Sequence, residues 1–214
     1  MKYNKLIAIM SLSALSLLFS SFNSFDYEKA WKNVDQFIEK GLPKSALKEV
    51  NAIYDYAIKD NNVAQQIKAV NFKVQLILQT EELGLETVIS ELEGSIEKAS
   101  SPGKYILHSY AAELIDQYFS SQYYTISQRT NLSDFDTGDI RTWAPNNYRD
   151  YIASHYLKSV DGSLKSYVTS DYKAIIPNYD KADISLRPSL YELVRSLEDE
   201  FVTQTTKQLN VLDQ

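Results

Sequence analysis

Two histidines are the first residues to test for chemistry, because imidazole is the side chain whose charge changes near neutral pH. His108 and His155 lie far apart in the chain, and neither has an i+4 histidine or a glutamate neighbour in the HExxH pattern of a zinc protease. His155 falls on the apolar face of its segment. Both read as packed core or boundary residues rather than as metal ligands or catalytic bases. Asp134, Asp136 and Asp139 look at first like a calcium loop or a glycosidase carboxylate pair. Counting from Asp134, however, Gly138 falls fifth and Asp139 sixth, whereas an EF-hand needs an oxygen ligand fifth and glycine sixth. A glycosidase needs two acids at a set separation across a cleft, which a run of loop acids does not establish. They read as solvated acids, with Asp139 or Thr142 placed to cap a following turn. No serine sits in a GxSxG elbow, and no glycine-rich run is long enough to cradle phosphate. There is no cysteine, which removes thiolate chemistry, disulfides and a lipid-acceptor site. No catalytic residue, metal ligand or cofactor site is therefore expected.

Sixteen tyrosines are the remaining excess. Most lie at helical spacing, where a phenol packs through its ring and keeps its hydroxyl at the rim. Tyr123, Tyr124, Trp143, Tyr148 and Tyr151 instead gather around one polar segment. Packing is the first role for these rings, and stacking on a sugar or anchoring a protein partner is the second. Trp143, just before a proline-initiated helix, is placed to pin that segment.

The elements that must position these residues are helical. Ala30, Trp31, Val34, Phe37 and Ile38 share one face, closed by Gly41, and Pro43 opens a second helix carrying Ala46, Leu47, Val50, Ile53, Tyr54 and Ala57. Asn62 and Gln65 form a weak capping box before a third helix, with Ile67, Val70, Val74, Ile77 and Leu78 on one side and Phe72 and Leu76 on another. Two apolar faces predict a helix sandwiched between neighbours. A fourth helix follows Gly84, and a fifth begins at Ser101–Pro102 and includes Leu107, Leu114 and Ile115. Short turns between them require antiparallel hairpins. Residues 120–144 break the rhythm, and helical spacing returns after Pro145, with a turn near Asp171 to Ile176 and a last helix from Pro188. No segment alternates as a strand would. The expectation is an all-α chain of antiparallel hairpins stacked in a TPR-like or α-solenoid-like array, with one irregular crossing segment. A strict repeat period is missing.

Residues 1–24 read as a secretory leader: Lys2 and Lys5 precede an apolar run from Leu6 to Phe19 that is too short to span a bilayer, and small polar residues follow. The organisation expected is a signal peptide at 1–24 and a single helical domain at 25–214, divided into hairpins at 26–119, an irregular segment at 120–144 and C-terminal helices at 145–206. After cleavage no transmembrane anchor is expected. An exported chain without disulfides suits a bacterial periplasm or cell surface. The formal charge is −6, and losing Lys2 and Lys5 makes it more negative by two, so a nucleic-acid backbone is repelled.

Several stretches carry a resemblance. Phe25 to Ala46, Ile53 to Lys73 and Ile106 to Phe119 resemble the N-terminal helical region of the large alpha-2-macroglobulin-like proteins of Bacteroidetes. The likeness continues through Gln128-Arg129-Thr130, Asp139-Ile140-Arg141-Thr142-Trp143 and Asp171-Tyr172-Lys173 to Leu186 through Leu193. Members of that family are endopeptidase inhibitors that enclose a protease after it cuts a bait segment, and some carry a thioester built from Cys and Gln. The resemblance implies an architectural role and protein partners, namely macroglobulin domains or proteases, but it transfers no functional residue. Without cysteine a thioester is excluded. The function expected is an exported, non-enzymatic helical module acting by protein contacts. The alternative is a stand-alone helical-repeat protein of the periplasm or surface that binds a peptide or glycan. A hydrolase using loop carboxylates has no convergent constellation behind it.

Overall fold

A computed structural model describes residues 25–81, 84–130, 139–176 and 179–196. The expected leader, Asp134, Asp136 and the polar tail lie outside the described residues. Five helices form first: α1 (Tyr27–Glu39), α2 (Pro43–Lys59), α3 (Val63–Thr80), α4 (Gly84–Lys98) and α5 (Gly103–Ser121). The short α6 (Tyr123–Ser127) follows, then a 3₁₀ turn at Ile140–Thr142 and α7 (Pro145–Ser159). Beyond α7 the chain runs through 3₁₀ turns at Gly162–Ser166, Thr169–Ile175, Tyr179–Lys181 and Ile184–Leu186, and is helical again over 190–196. Among the described residues the only β pairing is the isolated bridge between Val168 and Ser189. The fold is all-α, a stack of antiparallel hairpins in which each helix packs on its sequence neighbours and α5 pairs with α7.

Local chemistry sets the hairpin turns. Asp26 caps α1 by accepting from the Lys29 amide at 3.0 Å. At the other end Gly41 takes φ +66°, and the Gly41 and Leu42 amides donate to the carbonyls of Ile38 (2.9 Å) and Phe37 (2.8 Å), a Schellman closure. The same closure recurs after α2 with Asn61 at φ +52°: Asn61 N–H reaches Ile58 and Asn62 N–H reaches Ala57. Asparagine tolerates this left-handed step better than most residues, and no glycine marks it in the sequence. Asn62 then caps α3 through the Gln65 amide at 3.2 Å. The box is only half formed, because the Gln65 side chain accepts the Trp31 indole N–H at 2.7 Å and so ties α1 to α3. At the start of α4 a Cβ on Gly84 would lie 3.1 Å from the Leu78 Cα and 3.2 Å from the Ile77 carbonyl oxygen, so the α3–α4 approach depends on glycine there.

Three apolar clusters run along the stack. The first joins α1, α2 and α3 through Trp31, Val34, Val50, Ile53, Ala69 and Leu76. The central one joins α3, α4 and α5 through Val70, Val74, Val88, Leu92 and Leu107, closed by Leu164, Leu190 and Val194 from the C-terminal turns and helix. The third joins α5 to α7 through Ala112, Ile115, Phe119, Tyr148 and Ile152, with Ile126, Ile140 and Trp143 from the crossing segment. Helix α3 is sandwiched as its two apolar faces predict, giving Val70 and Val74 to the central cluster and Ala69 and Leu76 to the first. Leu78, grouped with the inner face in the sequence reading, is 41 % exposed at the end of α3. Helix also extends into the segment expected to be irregular, since α5 continues to Ser121 and α6 follows. The last helix starts two residues after Pro188. Ser189 pairs with Val168, and its amide and hydroxyl donate to Glu192, which caps the turn.

Candidate functional site

The polar interior of the α4–α5–α7 region comes from residues that continue apolar stripes. On α4, Leu85 and Ile89 face the third cluster, and Glu93 follows at the same i+4 spacing. On α5, His108 precedes Ala112, Ile115 and Phe119 on one face. On α7, Tyr148, Ile152 and His155 do the same in the antiparallel direction. Antiparallel packing brings the polar ends of all three stripes to one level. His108 Nδ1 lies 3.2 Å from His155 Nδ1, and the rings meet edge-on with centroids 4.9 Å apart. His155 Nε2 is 3.2 Å from Glu93 Oε1, which also accepts from the Tyr151 hydroxyl at 2.7 Å. Tyr151 stacks on His155 with centroids 4.2 Å apart. His108 and His155 are 6 % and 4 % exposed.

Electrostatics follow from that packing. Burial, the nearby His155 and the Lys158 ammonium push the His108 imidazole down to about 4, against the opposing pull of Glu93. The hydrogen bond from His155 holds Glu93 below the usual carboxylate range despite its partial burial. Burial, followed by the Glu93 charge, pushes the Tyr151 phenol well up. An ionised Glu93 only accepts, so Tyr151 O–H and His155 Nε2–H are both donors to it. His155 Nδ1 in the neutral ring is then an acceptor, and His108 must supply the proton between the two Nδ1 atoms. Among the described residues no group of three His, Asp or Glu is arranged to hold a metal.

The aromatic group expected from sequence divides. Trp143 and Tyr148 are buried, and Trp143 stands 5.4 Å from both Tyr148 and Tyr151. Tyr148 stacks on Phe119 at 5.1 Å and donates to the Ile140 carbonyl at 2.6 Å, and burial pushes its phenol up to about 12. Tyr151 is half-buried on Glu93. Tyr123 is half-buried edge-on to Phe119, 5.6 Å away. Tyr124 alone of the five is open to solvent, at 83 %. Arg129 fixes the crossing segment by donating to the Trp143 carbonyl at 2.9 Å. Asp139 caps the 3₁₀ turn through the Arg141 amide at 3.0 Å, as expected, and Arg141 ion-pairs with Glu86 of α4. Glu93 went unforeseen; the signal was a lone carboxylate continuing the Leu85–Ile89 stripe.

A separate cavity of about 350 Å³ opens between the α2–α3 turn and the C-terminal turns, lined by Asp60, Asn61, Asn62, Val63, Ala64, Asp171 and Tyr172. It contains none of the histidine, glutamate and aromatic side chains of the α4–α5–α7 region. Compared with known proteins, the chain matches no family model, no curated protein and no solved structure, so its functional reading starts from these residues.

Proposed function

We propose that the chain is an exported, non-enzymatic helical module that works by protein contact and is related to the N-terminal helical region of bacterial alpha-2-macroglobulins. One observation carries this reading. The buried His108 and His155 and the half-buried Glu93 join α4, α5 and α7, while large apolar side chains at the margins of the stack face solvent, Tyr124 at 83 %, Leu157 at 70 % and Leu186 at 72 %. Segments that carry the family resemblance also work together structurally: Arg129 holds Trp143, Asp139 caps its turn, and Asp171 and Tyr172 face the α2–α3 turn. Trapping a protease requires enclosing domains, and covalent capture by a thioester requires a cysteine, so this chain alone supplies a reversible surface.

Two measurements test the reading. An immunoblot of cells should show the native product at a mass well above that of this chain if it belongs to a macroglobulin. The isolated chain should leave a broad-specificity protease fully active on a large protein substrate. Stoichiometric inhibition, or an adduct stable to denaturing electrophoresis, would overturn the proposal. A second reading, binding of a peptide or glycan by a stand-alone protein, is favoured by the cavity with Tyr172 among Asp and Asn side chains. Fluorescence titration with oligosaccharides separates the two, since the contact module should not respond.

A further inference from the structure

We infer that the His108–His155 contact is an acid-release latch that holds α7 on α5 while no more than one proton is added to the pair. This inference is independent of the protein-contact reading. The geometry sets the proton inventory. Glu93 takes the His155 Nε2–H, leaving a single gap of 3.2 Å between two Nδ1 atoms, which accommodates one proton. With both rings neutral, His108 provides that proton. A first added proton leaves the gap unchanged, because it enters on the His108 Nε2, or on the His155 Nδ1 with His108 shifting to its other tautomer. A second added proton makes both rings imidazolium, and two N–H groups then face each other across the same gap. No donor–acceptor arrangement remains, and two like charges sit on buried rings.

The groups around the pair sharpen this response. Glu93 of α4 stabilises added charge; Lys104 of α5 and Lys158 of α7 oppose it, and Tyr151 of α7 is an uncharged donor to Glu93. Those two ammonium groups, together with the presence of only two converging imidazoles, also disfavour a bound cation at the gap. The downward shift of His108 places the second protonation in the acid range. Helix α7 is the element free to respond, because it packs chiefly on α5, whereas α3 is held from two sides. Its release would uncover the apolar side of Ile115 and Phe119.

The chain has only two histidines, so imidazole ¹⁵N NMR of the full chain gives one set of signals per ring. At pH 7.5 the spectra should show one ring carrying Nε2–H and the other Nδ1–H. Well below the His108 value of about 4 the second proton should enter the pair, and amide protection over 145–159 should then fall about tenfold relative to α1–α3, after correction for intrinsic exchange. In His108→Asn the amide stands near the position of Nδ1 and keeps a hydrogen bond without titrating, so α7 protection should be the same at pH 3 and 7.5. Full protonation of both rings with α7 still protected would overturn the proposal. The same acid loosening in His108→Asn would also overturn it. If that variant does not fold, the wild-type NMR and exchange data decide the matter alone.

Discussion

At the scale of single residues, the interior acid–base groups make stability depend on pH in a definite direction. His108 is held at about 4 in the folded chain against 6.5 in its ordinary state. Between those values the unfolded chain takes up a proton that the folded chain refuses, so stability falls as the pH is lowered from about 6.5 to about 4 and is level above it. The full difference is on the order of 3 kcal/mol at the acid end. Glu93, also shifted downward, acts in the same sense, losing its hydrogen-bonded anion as the pH falls. Urea unfolding at pH 7.5 and 4.5 should show this loss, and His108→Asn should remove most of it. A flat profile in the wild type would mean that the two imidazoles are hydrated in solution.

At the scale of elements, the third cluster depends on which face α5 turns inward. Sequence spacing placed both Leu114 and Ile115 on the buried side, but Ile115 is fully enclosed and Leu114 only half-buried. Ile115→Ala should therefore cost about 2–5 kcal/mol, with Leu114→Ala costing less, because a partly exposed cavity refills with water or collapses. Equal losses measured by chemical denaturation would contradict that orientation. Helices, caps and the sandwiched α3 were legible because they depend on local spacing and on residues such as Gly41, Pro43 and Pro145. The Glu93–His155–His108 chain was not, since helical periodicity marks each stripe but does not say which stripes meet. The box expected at Asn62 and Gln65 forms only its Asn62 half for a similar reason: the Trp31 indole, a partner distant in sequence, outcompetes a local one for Gln65.

At the scale of the whole molecule, the first and third clusters have no residue in common, while the central cluster shares α3 with one and α4 and α5 with the other. Energetic coupling should then decay along the stack as in repeat proteins. Val50→Ala in the first cluster and Ile152→Val in the third should add within about 0.5 kcal/mol when combined. Val50→Ala paired with Leu47→Ala should not, since both side chains belong to the first cluster and Leu47 also touches the central one. Unfolding free energies of the two double variants check this, and an interaction of more than about 1 kcal/mol between the distant pair would show that the stack responds as one body.

The placement of the two indoles gives the protein its own optical readout. Trp31 lies in the first cluster, with the Lys68 ammonium 4.2 Å from its ring centre, and Trp143 lies in the third among Tyr148 and Tyr151. These are the only tryptophans in the chain, so replacing either one with phenylalanine leaves a single emitter reporting from one end. Coincident melting of the two emitters would describe a rigid rod, and separated melting would describe a ribbon that frays from one side, with no dye attached to bias the result.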